Sequence, residues 1–363
     1  MNKPRIIAYY LPQFHPIPEN DSWWGKDFTE WINVRKAKSL FNRHNQPKVP
    51  TELGYYDLRL PEVRELQAQM ARDAGVEGFC YWHYWFGGKG RQLLNEIIDE
   101  VHKTGKPDFP FCLGWANESW KAKQWYKNGV GDKILMEQRY GGEEDYRAHF
   151  DYVKELFKDS RYIRIDGKPF FLFYKPNQFE DIANFITLWN KWVQEEGIAD
   201  GIYFVANLDQ QDQREKWIEI GFNAVTPSFM QRIRSKYMQR PSWEKFLIRR
   251  YRALFNRPVC YDAEKVNKLI VDKAYDSRED VIPILFPQWD HTPRSGSMGD
   301  LIKGTSPEFF RKQAEMVLPL VANKKNSLVM LKSWNEWGEG NFMEPDETFG
   351  RGFIDALKAA LEK

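Results

Sequence analysis

The chain has little cysteine: three residues in 363, Cys80, Cys112 and Cys260. Their odd number and the lack of any CxxC pair exclude a disulfide framework and a thiolate zinc knuckle. Cys80 and Cys112 sit in apolar runs, where free cysteine acts as a small core residue. Charge of one sign is missing too. The formal net charge is +2, so no global field draws in nucleic acid, which is not an expected partner. No apolar run nears the roughly 18 residues that a membrane-crossing helix requires. The opening MNKPRIIAYYLPQFHP has one short apolar stretch, interrupted by Pro12 and His15, too short and too polar for a signal peptide. The expectation is a cytoplasmic protein.

Several motifs are absent. No GxGxxG follows a strand-like run, and no GxxxxGK(S/T), GxSxG or HExxH occurs. Dinucleotide, P-loop, α/β-hydrolase and zinc-peptidase chemistry are thereby disfavoured, and no metal or cofactor is expected. Asp209-Gln210-Gln211-Asp212 is not the metal-binding DxD of nucleotide-sugar transferases.

What is present is alternation. Short runs rich in β-branched and aromatic residues fall at 5–10, 76–82, 109–115, 169–174, 201–206, 222–226, 281–286 and 327–333. They are continuously apolar, as buried parallel strands are. Amphipathic stretches separate them: 61–74, opened by Pro61 and stopped before Gly75, then 90–104, 143–158, 181–196, 241–254, 263–275, 306–323 and 352–362, with 207–221 a poorer helix. Eight strands alternating with helices predict a single (β/α)₈ TIM-type barrel across 1–363, with loop insertions and a basic insertion at about 230–260.

Aromatic, acidic and amide residues gather at the predicted strand ends. They include Tyr9, Tyr10 and His15 after the first run, and His83, Tyr84 and Trp85 after the second. Trp115, Asn117 and Glu118 follow the third, Gln288, Trp289, Asp290 and His291 the seventh, and 334–339 (WNEWGE) the eighth. In a barrel these ends share one face, where active sites are built. In SWNEWGEGNFMEPD, Glu336 and Glu339 are three residues apart. On a helical turn their β-carbons would lie roughly 5–6 Å apart. Glycoside cleavage needs such a carboxyl pair, one acting on the bridging oxygen and one at the anomeric centre. Like charges at that spacing separate their pKa values. Trp334, Trp337, Trp115 and Trp120 offer flat faces for pyranose rings, and Asn117 and Glu118 could bind hydroxyls. His15 and His83 are either structural or substrate-binding histidines.

The segment 230–258 holds nine Lys or Arg and one acid, with Trp, Tyr and Phe interleaved. It is either a solvated basic helix or a surface for an anionic partner such as an acidic polysaccharide, a lipid diphosphate or the inner leaflet of a membrane.

Long stretches carry a family likeness: IAYYLPQFHPIPENDSWWGKDFTEWINVRKAK from Ile7, ELGYYDLRLPEVRELQAQMARDAGVEGFCYWHYWF from Glu52, PDFPFCLGWANESW from Pro107, YIRIDGKPFFLFYKP, PQWDHTPRSG and SWNEWGEGNFMEPD. Across nearly all its length the chain resembles the WbsX-type, glycoside hydrolase family 99-like proteins. The resemblance implies a (β/α)₈ barrel and a place in bacterial surface-polysaccharide metabolism, such as O-antigen or capsule assembly. It also implies a retaining mechanism. Glu336 would help the sugar's own 2-hydroxyl attack the anomeric carbon, and Glu339 would act as general acid and then base. By the same resemblance Tyr10, His83, Tyr84, Trp115, Glu118, Trp289 and Asp290 would touch substrate, and Asn335 and Trp337 flank the pair. The expected partner is an oligosaccharide or polysaccharide, lipid-linked in one version, with peripheral membrane contact through 230–258. The rivals are a nucleotide-sugar-dependent glycosyltransferase and a non-catalytic glycan-binding barrel.

Overall fold

Each of the eight apolar runs becomes a strand in the computed structural model, which describes residues 3–88, 90–122, 133–210 and 213–363. They are β1 (Arg5–Tyr10), β2 (Gly78–Trp85), β3 (Phe111–Trp115), β4 (Lys168–Phe173), β5 (Tyr203–Leu208), β6 (Ala224–Pro227), β7 (Ile284–Leu285) and β8 (Leu328–Leu331). They pair in parallel in the order β6-β5-β4-β3-β2-β1-β8-β7. The ring closes between β6 and the residues before β7. Val225 bridges Val281, and the Val225 N–H donates to the Asp280 carbonyl and the Ile282 N–H to that of Val225, both at 2.8 Å. The seventh strand is shorter than the apolar run 281–286 because Pro283 and Pro287 bring no N–H to the ladder.

Helices cover the outside. Pro61–Ala74 opens on Pro61 and ends at Gly75, whose φ of +83° is the left-handed cap that glycine adopts without strain. Pro307–Val321 and Gly352–Leu361 follow their predicted ranges closely. The predicted helix 263–275 is two, Ala263–Ile270 and Lys273–Asp276. Asp272 caps the second by accepting from the Tyr275 N–H. The unanticipated helices include Pro18–Trp24 and Glu30–Lys36, both in the long connection after β1, and the single turn Thr292–Ser295, which carries Arg294. The basic stretch forms Phe229–Met238 and Ser242–Phe255 between β6 and β7. Cys80 and Cys112 are buried, whereas Cys260 is exposed on the peripheral strand Val259–Asp262.

Strand side chains alternate between lumen and helix layer. Tyr9 stacks on Trp82 with ring centres 4.8 Å apart and planes 3° from parallel, and Trp82 meets Tyr174 edge to face. A β-carbon on Gly114 would come within 3.2 Å of the Trp82 ring, so glycine makes room for that indole in the lumen. On the other parity, Tyr10, His83 and Trp115 face outward. This alternation decides which strand-end residues reach the barrel mouth.

Candidate active site

Both glutamates of the C-terminal cluster come to the mouth. Glu336 ends the short strand Asn335–Glu336, and Glu339 ends the 3₁₀ turn Trp337–Glu339. The predicted helical turn is thus a single tight one, and it brings both carboxylates onto one guanidinium. Arg294 donates to Glu339 Oε1 at 2.8 Å, to Glu336 Oε1 at 3.1 Å and to Glu30 Oε1 at 2.8 Å. Lys332, which shares the lumen parity of Met330, places its ammonium 3.4 Å from Glu339 Oε2 and 4.0 Å from Glu336 Oε2. Three carboxylates and two cations therefore share the end of β8.

Glu336 is buried, and burial together with the Glu339 charge raises its pKa from the usual carboxylate value. Burial works against the Arg294 charge, yet Glu30, Glu339 and Glu336 hold its pKa well above the usual value. Close packing needs the glycines of WGEG. A β-carbon on Gly338 would collide with Glu30 Oε1 and come within 2.9 Å of Arg294 Nε. One on Gly340 would stand 2.7 Å from Asp290 Cβ.

Aromatic rings form one wall. Tyr84 and Trp120 meet edge to face at 5.1 Å, and Trp120 meets Trp23 at 5.9 Å. Trp23, Trp120, Tyr174 and Glu118 are all partly exposed. Burial first, and then the Glu336 charge for Tyr84 and the Glu118 charge for Tyr174, raise both phenol pKa values far above the usual one. Both therefore stay protonated as hydrogen-bond donors.

Of the other residues proposed from the sequence, several lie away from the lumen. The Tyr10 hydroxyl donates to Gln67 at 2.7 Å within the core. His83 bonds His149 at 2.8 Å between Nε2 atoms, and burial lowers its pKa to about 3. Trp115 donates to the Trp85 carbonyl and packs on Phe185 of the helix layer. His15 is fully buried in the loop after β1, 3.8 Å from Glu96. These four are part of the barrel wall, because their strand parity or loop turns them outward.

Others hold the mouth together. Asn335 clamps the Leu11 backbone through both amide atoms, at 2.7 and 3.0 Å. Asn117 does the same for Lys175, at 2.8 Å each way. Asp290 accepts from His44, Gln46 and twice from Thr292, and its own N–H donates to the Glu339 carbonyl. Trp289 donates to Asp300, and Trp337 stacks on Phe342 and donates to Glu344. Among the described residues their polar atoms are engaged with protein, and Asp290 is tied directly to the Glu339 backbone.

Sequence reasoning missed Arg294, Glu30, Lys332, Tyr174 and Trp82. Period-two parity could have found Lys332 and Trp82. Arg294 was visible in PQWDHTPRSG, four residues after Asp290, and Glu30 in FTEW. Among the described residues no group of three or more His, Cys, Asp or Glu side chains could hold a metal ion. Nor is any helix long and apolar enough to cross a membrane.

The fold recurs in solved structures of low sequence similarity. A glycoside hydrolase-like protein superposes with a TM-score of 0.61 at 14% identity, covering 100% of this chain and 94% of that one. A GH99 endo-α-mannosidase from Bacteroides thetaiotaomicron gives 0.53 at 15% identity, covering 100% and 97%. The architecture is therefore a (β/α)₈ TIM-type barrel. The sequence is more specific. Residues 6–357 match the model of the glycosyltransferase WbsX family, and the chain belongs to that family. The uncharacterized protein WxcX of Xanthomonas campestris pv. campestris (strain B100) is 34% identical over 364 residues. That match covers 99% of this chain and 50% of the relative, so the chain spans about half the length of the curated relatives it matches.

Proposed function

We propose that the chain makes or breaks glycosidic bonds with retention, using Glu336 and Glu339, in bacterial surface-polysaccharide metabolism. The observation that carries this is the pair of carboxylates on one guanidinium at the mouth of a closed barrel, beside an aromatic wall. Glu336 takes the proton of the sugar's 2-hydroxyl as that oxygen attacks C1. The bond from C1 to the leaving oxygen breaks, and Glu339 gives that oxygen its proton. In the second step Glu339 takes a proton from water or a sugar hydroxyl, which opens the 1,2-anhydro ring, and Glu336 returns the proton to O2. The raised Glu336 pKa makes its carboxylate a stronger base. Tyr84, Tyr174 and Glu118 are the proposed sugar contacts, with Trp120 and Trp23 as stacking faces.

The test is turnover on glycan panels and lipid-linked oligosaccharides, with and without nucleotide sugars, for the unmodified protein and for Glu336→Gln and Glu339→Gln. Product formed without nucleotide sugar and lost in either variant supports the reading. Product formed only with nucleotide sugar replaces it with an ordinary transferase.

A membrane-bound, lipid-linked substrate at the cytoplasmic face is part of the same proposal, and one helix supports it. Ser242–Phe255 buries no residue. Its half-buried side includes Lys245 and Arg252, while Trp243, Phe246, Leu247, Tyr251 and Leu254 face outward, Trp243 at 67% and Leu254 at 78% exposure. Such an outward apolar stripe, flanked by the exposed Arg249 and Arg250, suits the interface of an anionic bilayer. Flotation with phosphatidylglycerol vesicles should fall when Trp243, Phe246, Leu247 and Leu254 are changed to Ser, and should weaken with salt. Equal flotation of the variant removes this part of the proposal.

A further inference from the structure

A second pocket opens beside the glutamate site, on the far side of the Gln288–Asp290 segment. Its cavity is about 170 Å³, the volume of roughly five or six waters. That is ample for a phosphate or a carboxylate with its first carbons. The loop after β1 supplies Arg43, His44 and Lys48, the segment after β7 supplies Lys303, and Phe349 follows β8. The one acid in the lining, Asp290, already accepts four hydrogen bonds.

Lys48 is the anomaly. The residue is only 8% exposed. Its ammonium lines the pocket 5.9 Å from the centre of the Phe349 ring, and among the described residues it has no hydrogen bond and no ion pair. An ammonium that reaches a pocket with its stem buried and without a hydrogen-bonding partner favours the arrival of an anion there. Asp346 is near enough to act electrostatically: its Oδ1 accepts from the Thr348 and Phe349 N–H groups, and its buried Oδ2 has no hydrogen-bond partner among the described residues, so Asp346 neutralises part of the Lys48 charge without bonding it. Burial lowers the Lys48 pKa, and Asp346 and Asp290 oppose that shift. Lys303 lies 6.0 Å from the Phe41 ring centre and Arg257 lies 5.5 Å from it, which adds positive charge around the cavity.

We propose that this pocket is an oxyanion subsite, in which Lys48 receives a phosphate or carboxylate group carried by the glycan substrate. The deepening rests on the glycosidic reading above. The subsite's back wall, Asp290, hydrogen-bonds the Glu339 backbone, so an anchored anion would hold the substrate beside the reacting pair.

The test is calorimetric titration of the whole chain with inorganic phosphate, glucuronate and glucose. One equivalent of an anion should bind and neutral glucose should not. The phosphate and glucuronate arms tell a phosphorylated glycan from an acidic sugar. Lys48→Met should weaken anion binding about 10- to 100-fold, the loss of one charge-assisted hydrogen bond, and Lys48→Arg should keep most of it. Glu339→Gln should bind the anion as the unmodified protein does, so this inference and the catalytic one fail separately. Equal affinity in Lys48→Met, or no anion binding at millimolar concentration, overturns the subsite. So does a Lys48→Met protein that loses thermal stability and regains it with Asp346→Asn, since Lys48 would then be the counter-ion of Asp346.

Discussion

Two carboxylate sites lie within nine residues of one another and are handled in opposite ways. At the mouth, Glu336 and Glu339 are balanced by cations, Arg294 and Lys332. Below them Glu344 is held by neutral donors alone: Trp337 at 2.6 Å, Gln67 at 2.6 Å and Tyr56 at 2.9 Å. Burial pushes the Glu344 pKa from 4.5 up to about 7, and those donors only partly offset it. The carboxylates proposed to react are kept close to cations. One meant to brace is wrapped in dipoles that have nowhere to go.

The contrast can be broken most directly by exchange of function. Glu339→Gln should lower turnover by ~10²–10⁴ with the fold retained, while Glu344→Gln should cost less than about 10-fold. The reverse order would mean that the roles are misassigned. Arg294→Met should come next. It strips the guanidinium from three clustered carboxylates, and chemical denaturation should show a loss of roughly 3–5 kcal/mol at neutral pH, recovered in part when Glu30→Gln is added. No destabilisation would mean that the acids are already neutral.

Glu344 gives a pH signature. Its folded pKa lies above the unfolded one, so as pH rises the unfolded chain ionises first. The stability this group contributes is fully present below about 4.5 and is lost as pH climbs through about 7, by roughly 3 kcal/mol. In Glu344→Gln that component of the pH–stability curve should vanish, and an unchanged curve would show that the carboxyl is not its source. The smallest effect expected is that of Gly338→Ala, about 1–3 kcal/mol of overpacking against Glu30 and Arg294. It should lower turnover as well, because the displaced groups hold the catalytic pair. A fully active Gly338→Ala enzyme would show that the network is dispensable.

Much of this was legible in the amino-acid order. Continuous apolar runs marked all eight strands, since a parallel barrel buries both faces of each. Two glutamates three apart among Trp and Gly marked the mouth, because that spacing is local. The counter-ions were not legible in the same way. Arg294 is 45 residues from Glu339 and 264 from Glu30, so only the closed ring brings them together. Strand-end position also proved too coarse. Tyr84 and His83 are neighbours, yet one reaches the lumen side near Glu336 and the other bonds His149 in the helix layer. The alternation was readable, but its absolute phase depended on which side packed against helices. The outward apolar stripe of Ser242–Phe255 was hidden because its spacing is that of any amphipathic helix, and sequence pattern does not say which side meets the protein.

The loop after β1 reaches across the ring to the segments beyond β7 and β8. Leu11 is clamped by Asn335, 324 residues on, and Glu30 waits for Arg294. At about 5–20 residues per second, a ribosome needs roughly 15 to 65 s to supply that partner. The strands between can zip up as they emerge, and Asp290 and Arg294 arrive before the last strand, but the Asn335 clamp and the two glutamates follow only after it. The order of synthesis therefore acts as a timer, and a chain interrupted before Asn335 would carry a nearly complete barrel and neither Glu336 nor Glu339.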